Sequence, residues 1–113
     1  MNNESSGWTI RYWHDGKSRN DLEKWLDSLT KDQLKSIAKE MKLLELCGNQ
    51  LRLPHSKPLK KGLFELRERQ FGYRIYYTLL PNKVVLMLHG GNKHTQERDI
   101  EIARQRLEDV YCK

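Results

Sequence analysis

The sequence has no hydrophobic run approaching the ~18 residues of a membrane span. Its first residues, MNNESSGW, lack the apolar stretch of a signal peptide. An integral membrane or secreted protein is therefore not expected, and the expected compartment is cytoplasmic. Cysteine is scarce: Cys47 and Cys112 lie 65 residues apart, with no Cys-x-x-Cys or Cys/His spacing around them. Neither a disulfide framework nor a zinc site follows, and free thiols in a reducing compartment are the expectation. No phosphate-binding glycine loop, nucleophile elbow or dinucleotide fingerprint is present, and no Asp/Glu cluster has divalent-metal spacing. The chain is thus expected to work without a metal or a cofactor. It also lacks internal repeats and low-complexity stretches.

What is there is charge. The chain has 113 residues, 32% of them charged and 37% hydrophobic, enough for one modest core. Residues 1–113 read as a single domain, with 1–7 as a disordered N-terminal extension. The net charge of +6 comes from 21 basic and 15 acidic residues, and it is concentrated. Residues 52–74 hold seven basic groups (Arg52, Lys57, Lys60, Lys61, Arg67, Arg69, Arg74) against Glu65 and Glu68, a net +5. A local field of that sign suits a polyanion, although a solvated basic loop accounts for the charge equally well.

Periodicity gives the elements. Residues 8–13 alternate as a short strand. The turn at Gly16-Lys17-Ser18 leads into two tandem helices over roughly 19–47. Ser18 with Asp21 and Thr30 with Gln33 cap them, and Gly48 stops the second. Pro54, Pro58 and Gly62 read as an ordered basic loop over 49–62, anchored by Leu51, Leu53 and Leu59. Three strands follow, at Leu63–Arg69, Tyr73–Leu80 and Val84–His89, the last apolar enough to be covered on both faces. From Glu97 onward, Ile100, Ala103, Leu107 and Val110 mark one face of a final helix. The order β-α-α-β-β-β-α predicts an α+β fold with an antiparallel meander, helices on one face and the basic residues on the other.

Strand geometry picks out the residues able to converge. Arg67 and Arg69 share a strand face, and the hairpin returns Arg74 beside them. Lys93 and His94 follow the last strand, while His55, Lys57, Lys60 and Lys61 lead into the first. Guanidinium forks bind phosphate, a Lys or His can move protons, and Tyr76, sharing a face with Arg74, can stack on a base. That set suits metal-free RNA cleavage. On residue type alone the spacing of Glu65 and Arg67 suits a structural ion pair, and His94 suits a solvated loop.

The run Leu51-Arg52-Leu53-Pro54-His55-Ser56-Lys57-Pro58-Leu59-Lys60-Lys61-Gly62-Leu63-Phe64-Glu65-Leu66-Arg67 resembles the signature of HigB-like toxins, a phage-associated branch of the RelE/ParE toxin superfamily. Tyr73-Arg74-Ile75-Tyr76-Tyr77 and the stretch from Leu88 to Gln96 fit the same pattern, and the likeness spans about residues 8–107. It implies a RelE-like, microbial-RNase-like fold and a type II toxin that cleaves message on the ribosome. It further implies a cognate antitoxin, usually a helix-turn-helix, HigA-like protein, with DNA met only through that complex and no membrane partner. By the resemblance, Arg67 and Arg74 match phosphate-binding arginines, Lys93 the basic residue after the last strand, and Lys57, Lys60 and Lys61 the basic loop. Gly91 stands where the family commonly has an aromatic, His94 where it has a second lysine, and a proline before the last helix is missing. A ParE-like gyrase inhibitor and a nucleic-acid-binding module without catalysis are the alternatives.

Overall fold

A computed structural model describes residues 7–16 and 21–111. Most of the expected N-terminal extension, the Lys17-Ser18 turn with its Ser18 cap, and Cys112 lie outside the described residues.

The first strand, β1, is Thr9–Tyr12, and two helices follow, α1 (Asp21–Asp27) and α2 (Lys31–Cys47). The Thr30 hydroxyl accepts from the Gln33 N–H at 3.2 Å, and the Gln33 side chain accepts from the Thr30 N–H at 2.8 Å. This reciprocal pair satisfies two donors at the start of α2, as the spacing predicts. Gly48 ends the helix at φ 52°, where a Cβ would overlap the Trp8 indole. Four strands complete the sheet, β2 (Ser56–Lys60), β3 (Leu63–Glu68), β4 (Tyr73–Leu80) and β5 (Val84–Asn92), and α3 (Gln96–Tyr111) closes the described chain.

The sheet order is β1-β5-β4-β3-β2. The strands from β2 to β5 form an antiparallel meander, and β1 pairs parallel with β5 through Thr9 and Val84. The expected meander is therefore present with one strand more. β2 occupies part of the segment read as a loop, and Pro58 is opposite Phe64 in its register. Proline is tolerated there because β2 is an edge strand, where a missing N–H leaves no ladder bond unmade.

Helices cover both faces. On one side Leu22, Ile37 and Leu44 pack on Leu66, Ile75, Tyr77, Val85 and Met87. On the other, Ala103 and Leu107 of α3 pack on Leu63, Tyr76, Leu86 and Leu88. The expectation of one bare basic face is thereby corrected. Apolar residues alternate on β3 to β5 so that each face has its own set, and each set needs a cover. Arg67, Arg74, Lys93 and His94 are at the end of the sheet beside the start of α3, while Lys60 and Lys61 are at the opposite end.

Candidate nucleic-acid interface

Register assembles the site. Arg67 on β3 is directly opposite Arg74 on β4, and Glu65 is opposite both Tyr76 and the β2 residue Lys57. On β5, Gly91 is level with Arg74 and His89 with Tyr76. All of these occupy the α3 side of the sheet. The Glu65 carboxylate, 1% exposed, meets Arg74 Nη1 at 3.0 Å and Arg67 Nε at 3.7 Å. From α3, Gln96 Nε2 donates to the same carboxylate at 2.9 Å. Away from bulk water such attractions are strong, and the carboxylate could not be buried without them. The ion pair that the Glu65–Arg67 spacing allows is formed. Two guanidiniums share one carboxylate, however, so the cluster keeps an excess positive charge. Arg67 stays 31% exposed, open to an anion from solvent.

The remaining candidates divide. Lys93 and His94 are exposed on a short 3₁₀ turn, Lys93–Thr95. The Asn92 side chain fixes that turn by accepting from the His94 and Thr95 N–H groups at 2.8 and 3.2 Å. The Lys93 N–H donates to Gly72 O at 3.0 Å, and its stem passes over Gly72, which brings it to the start of β4. Lys57 is exposed on the edge strand beside Glu65. His55 is different: its backbone accepts from the Arg67 N–H, but its ring turns away to Glu40 of α2 at 3.0 Å. Lys60 and Lys61 form the β2–β3 turn with φ of 90° and 55°. That turn is at the far end of the hairpin, roughly 13 Å along the strand from the arginine pair.

Two placements are corrected. Arg69 lies beyond the end of β3 and does not share a face with Arg67. It lines a cleft of about 410 Å³ on the α2 side with Lys35, Ser36 and Lys39. Tyr76 is fully buried under α3, leaving no ring face for a base. The exposed aromatic ring at this end of the sheet is Phe71, in the β3–β4 turn.

Sequence reasoning missed the polar network behind the arginines. A bulge gives β5 one extra residue between Met87 and His89, so Leu88 and His89 both reach the α3 side. His89 Nε2 meets Asp99 Oδ1 at 3.0 Å, and its Nδ1 meets Arg106 Nη1 at 3.2 Å. Since Arg106 only donates, Nδ1 accepts and Nε2 carries the proton toward Asp99. Burial pushes the His89 pKa down; the Asp99 charge opposes that and the Arg106 charge adds to it. Asp99 also accepts from the Thr95 hydroxyl at 2.5 Å. This network explains Gly91, because a Cβ there would overlap the Asp99 carboxylate. The apolar run ending in His89 and the unusual Gly91 were its only traces in the sequence. Glu68, on the opposite face from Glu65, is a structural group: it accepts from Ser36 Oγ at 2.6 Å and from the N–H groups of Gln70, Phe71 and Tyr73. Among the described residues, no group of three or more His, Cys, Asp or Glu is placed to hold a metal ion. No helix among them is long and apolar enough to cross a membrane.

Residues 24–108 match the family described as "Phage derived protein Gp49-like (DUF891)". A stretch of 49 residues is 41% identical to an uncharacterized protein of Haemophilus influenzae. That match covers 42% of this chain and 50% of the other, so the chain spans about half the length of the curated relative it matches. Among solved structures, the fold is similar to a mutant of E. coli toxin RelE in the free state, with TM-score 0.59 and 12% identity over 84% of this chain and 96% of that one. It is also similar to a chain of the RelBE2 toxin–antitoxin complex of Mycobacterium tuberculosis, with TM-score 0.56 and 20% identity over 77% and 99%. A chain of the archaeal RelE–RelB complex of Pyrococcus horikoshii gives TM-score 0.54 and 19% identity over 76% and 94%. The likeness in fold exceeds the likeness in sequence.

Proposed function

The chain belongs to the phage-derived Gp49-like family, and from that premise we propose that it is the toxin of a type II toxin–antitoxin pair, acting as a ribosome-dependent endoribonuclease on message. The observation that carries this reading is the cross-strand pair Arg67 and Arg74, two guanidiniums at one sheet end with a single carboxylate between them.

In this reading Arg67 and Arg74 grip the scissile phosphate and stabilise the charge that builds on its oxygens. The adjacent ribose 2′-hydroxyl attacks, leaving a 2′,3′-cyclic phosphate and a 5′-hydroxyl. Lys93 or His94, exposed just past the end of β5, moves the protons. Lys57 and Lys93 extend the phosphate-binding surface. No cofactor enters the scheme. The partners are the ribosome with its message and a cognate antitoxin of helix-turn-helix, HigA-like type, through which alone DNA is met. The setting is the cytoplasm.

Induced expression tests this. Growth arrest with message cleavage is expected for the unaltered chain, and both are expected to vanish for Arg67→Gln with Arg74→Gln. The hold of Glu65 on both arginines favours a second reading, in which they are purely structural and the protein inhibits gyrase without cutting RNA. Inhibition of supercoiling in vitro with RNA left intact would support that reading.

A further inference from the structure

Tyr76 carries the one buried side-chain polar atom that lacks a hydrogen-bond partner among the described residues, its phenolic oxygen. An unsatisfied buried hydroxyl is destabilising, and phenylalanine would fill the same space without that cost. The group is next to the functional cluster. Tyr76 and Glu65 are direct cross-strand partners on the α3 face, with 0% and 1% of their surfaces exposed.

Building on the reading of Arg67 and Arg74 as a phosphate clamp, we infer that Tyr76 is a positioning residue, the reserve donor for Glu65. When the guanidiniums leave the carboxylate for an RNA phosphate, the Tyr76 hydroxyl donates to the carboxylate oxygen they release. A buried carboxylate stripped of its cations is strongly unfavourable, and Gln96 alone would remain on it. The other groups around Glu65 do not fill the gap. Lys57 on β2 is exposed on the edge strand. His89 on β5 is held between Asp99 and Arg106, and Asp99 on α3 already accepts from His89 and Thr95. Burial, together with the charges of Glu65 and Asp99, raises the Tyr76 pKa, so the hydroxyl keeps the proton it needs to donate. The arrangement makes phosphate an acceptable exchange partner for the arginines at little electrostatic cost.

The test uses the full chain and an oligoribonucleotide made uncleavable by 2′-O-methylation, with binding measured at pH 8. Tyr76→Phe is expected to unfold at the same temperature as the parent or higher. Its affinity at pH 8 should fall about tenfold, as the loss of a hydrogen bond to a charged group implies. In a Glu65→Gln background, which has no carboxylate for the hydroxyl to serve, Tyr76→Phe should leave affinity unchanged. Parental affinity in Tyr76→Phe, or an equal loss in the Glu65→Gln background, would overturn the inference. So would a marked drop in its unfolding temperature, which would mean that the hydroxyl is already bonded in the free protein. Failure of the unaltered chain to bind the oligonucleotide would instead remove the clamp reading, and it is seen before any variant is made.

Discussion

Arg74 and Glu65, on neighbouring strands, form a 3.0 Å ion pair in which the carboxylate is 1% exposed and the guanidinium 16%. Arg67 closes on the same carboxylate from its own strand at 3.7 Å. The positive surface at this end of the sheet is therefore organised around a buried negative charge. Glu65→Ala is expected to cost roughly 3 kcal/mol of stability, since it leaves a largely buried guanidinium unpaired, and urea denaturation measures it. Glu65→Gln keeps the shape and removes the competing charge. It should lower KM for message while also lowering kcat, because the guanidiniums lose their fixed orientation.

Gly91 has no room for a side chain. A Cβ there would meet the Asp99 carboxylate and the Thr95 hydroxyl. Gly91→Ala is expected to displace Asp99 from His89 and to cost about 1–3 kcal/mol, read as a fall in the denaturation midpoint. An unchanged midpoint would mean that the start of α3 is looser than described.

His89 makes stability depend on pH. Its folded pKa is lowered below the ordinary 6.5, chiefly by burial. The unfolded chain therefore binds a proton that the folded chain resists. The contribution is complete above about pH 6.5 and is lost as pH falls through the depressed folded value. The drop in unfolding temperature between pH 7 and pH 5 should be smaller in His89→Gln than in the parent chain. Asp99, Arg106 and Asp21, the charges facing His89, are the same in both proteins, so the difference between them isolates the histidine.

Much of this was legible beforehand, and the misses share a cause. The capping box at Thr30, three of the four meander strands (β3 to β5) and the apolar face of α3 follow from local spacing, which the chain carries within a few residues. The pairing of Glu65 with Arg67 is local in the same way. β2 escaped because Pro58 reads as a breaker unless the strand is known to lie at an edge. Strand alternation puts Tyr76 on one face with Arg74, and helical periodicity tells which side of α3 is buried, but not that α3 covers that face. Gln96 and Asp99 reach the site from 31 and 10 residues away along the chain, and no local pattern links them to it.

The position of each basic residue predicts its share of RNA binding. Lys57, beside Glu65, should contribute a phosphate contact at the cleavage site. Lys57→Ala is expected to reduce the steepness of ribosome affinity against salt by about 0.7–0.9 on a double-logarithmic plot. It should also slow cleavage. Lys60→Ala with Lys61→Ala, at the opposite end of the hairpin, should flatten the salt response while leaving the cleavage rate of bound message nearly intact. Equal effects of the two variants on that rate would contradict this division.

The central claim is that Arg67 and Arg74 hold the phosphate at which message is cut by its own 2′-hydroxyl. Arg67→Gln, Arg74→Gln and Glu65→Gln, combined in one chain, remove all three charges together and leave none unpaired in the interior. End-group analysis of message from ribosomes incubated with purified protein is the direct measurement. The parent chain is predicted to yield 2′,3′-cyclic phosphate and 5′-hydroxyl ends, and the folded triple variant none. The same ends appearing at the same rate in both would contradict the account.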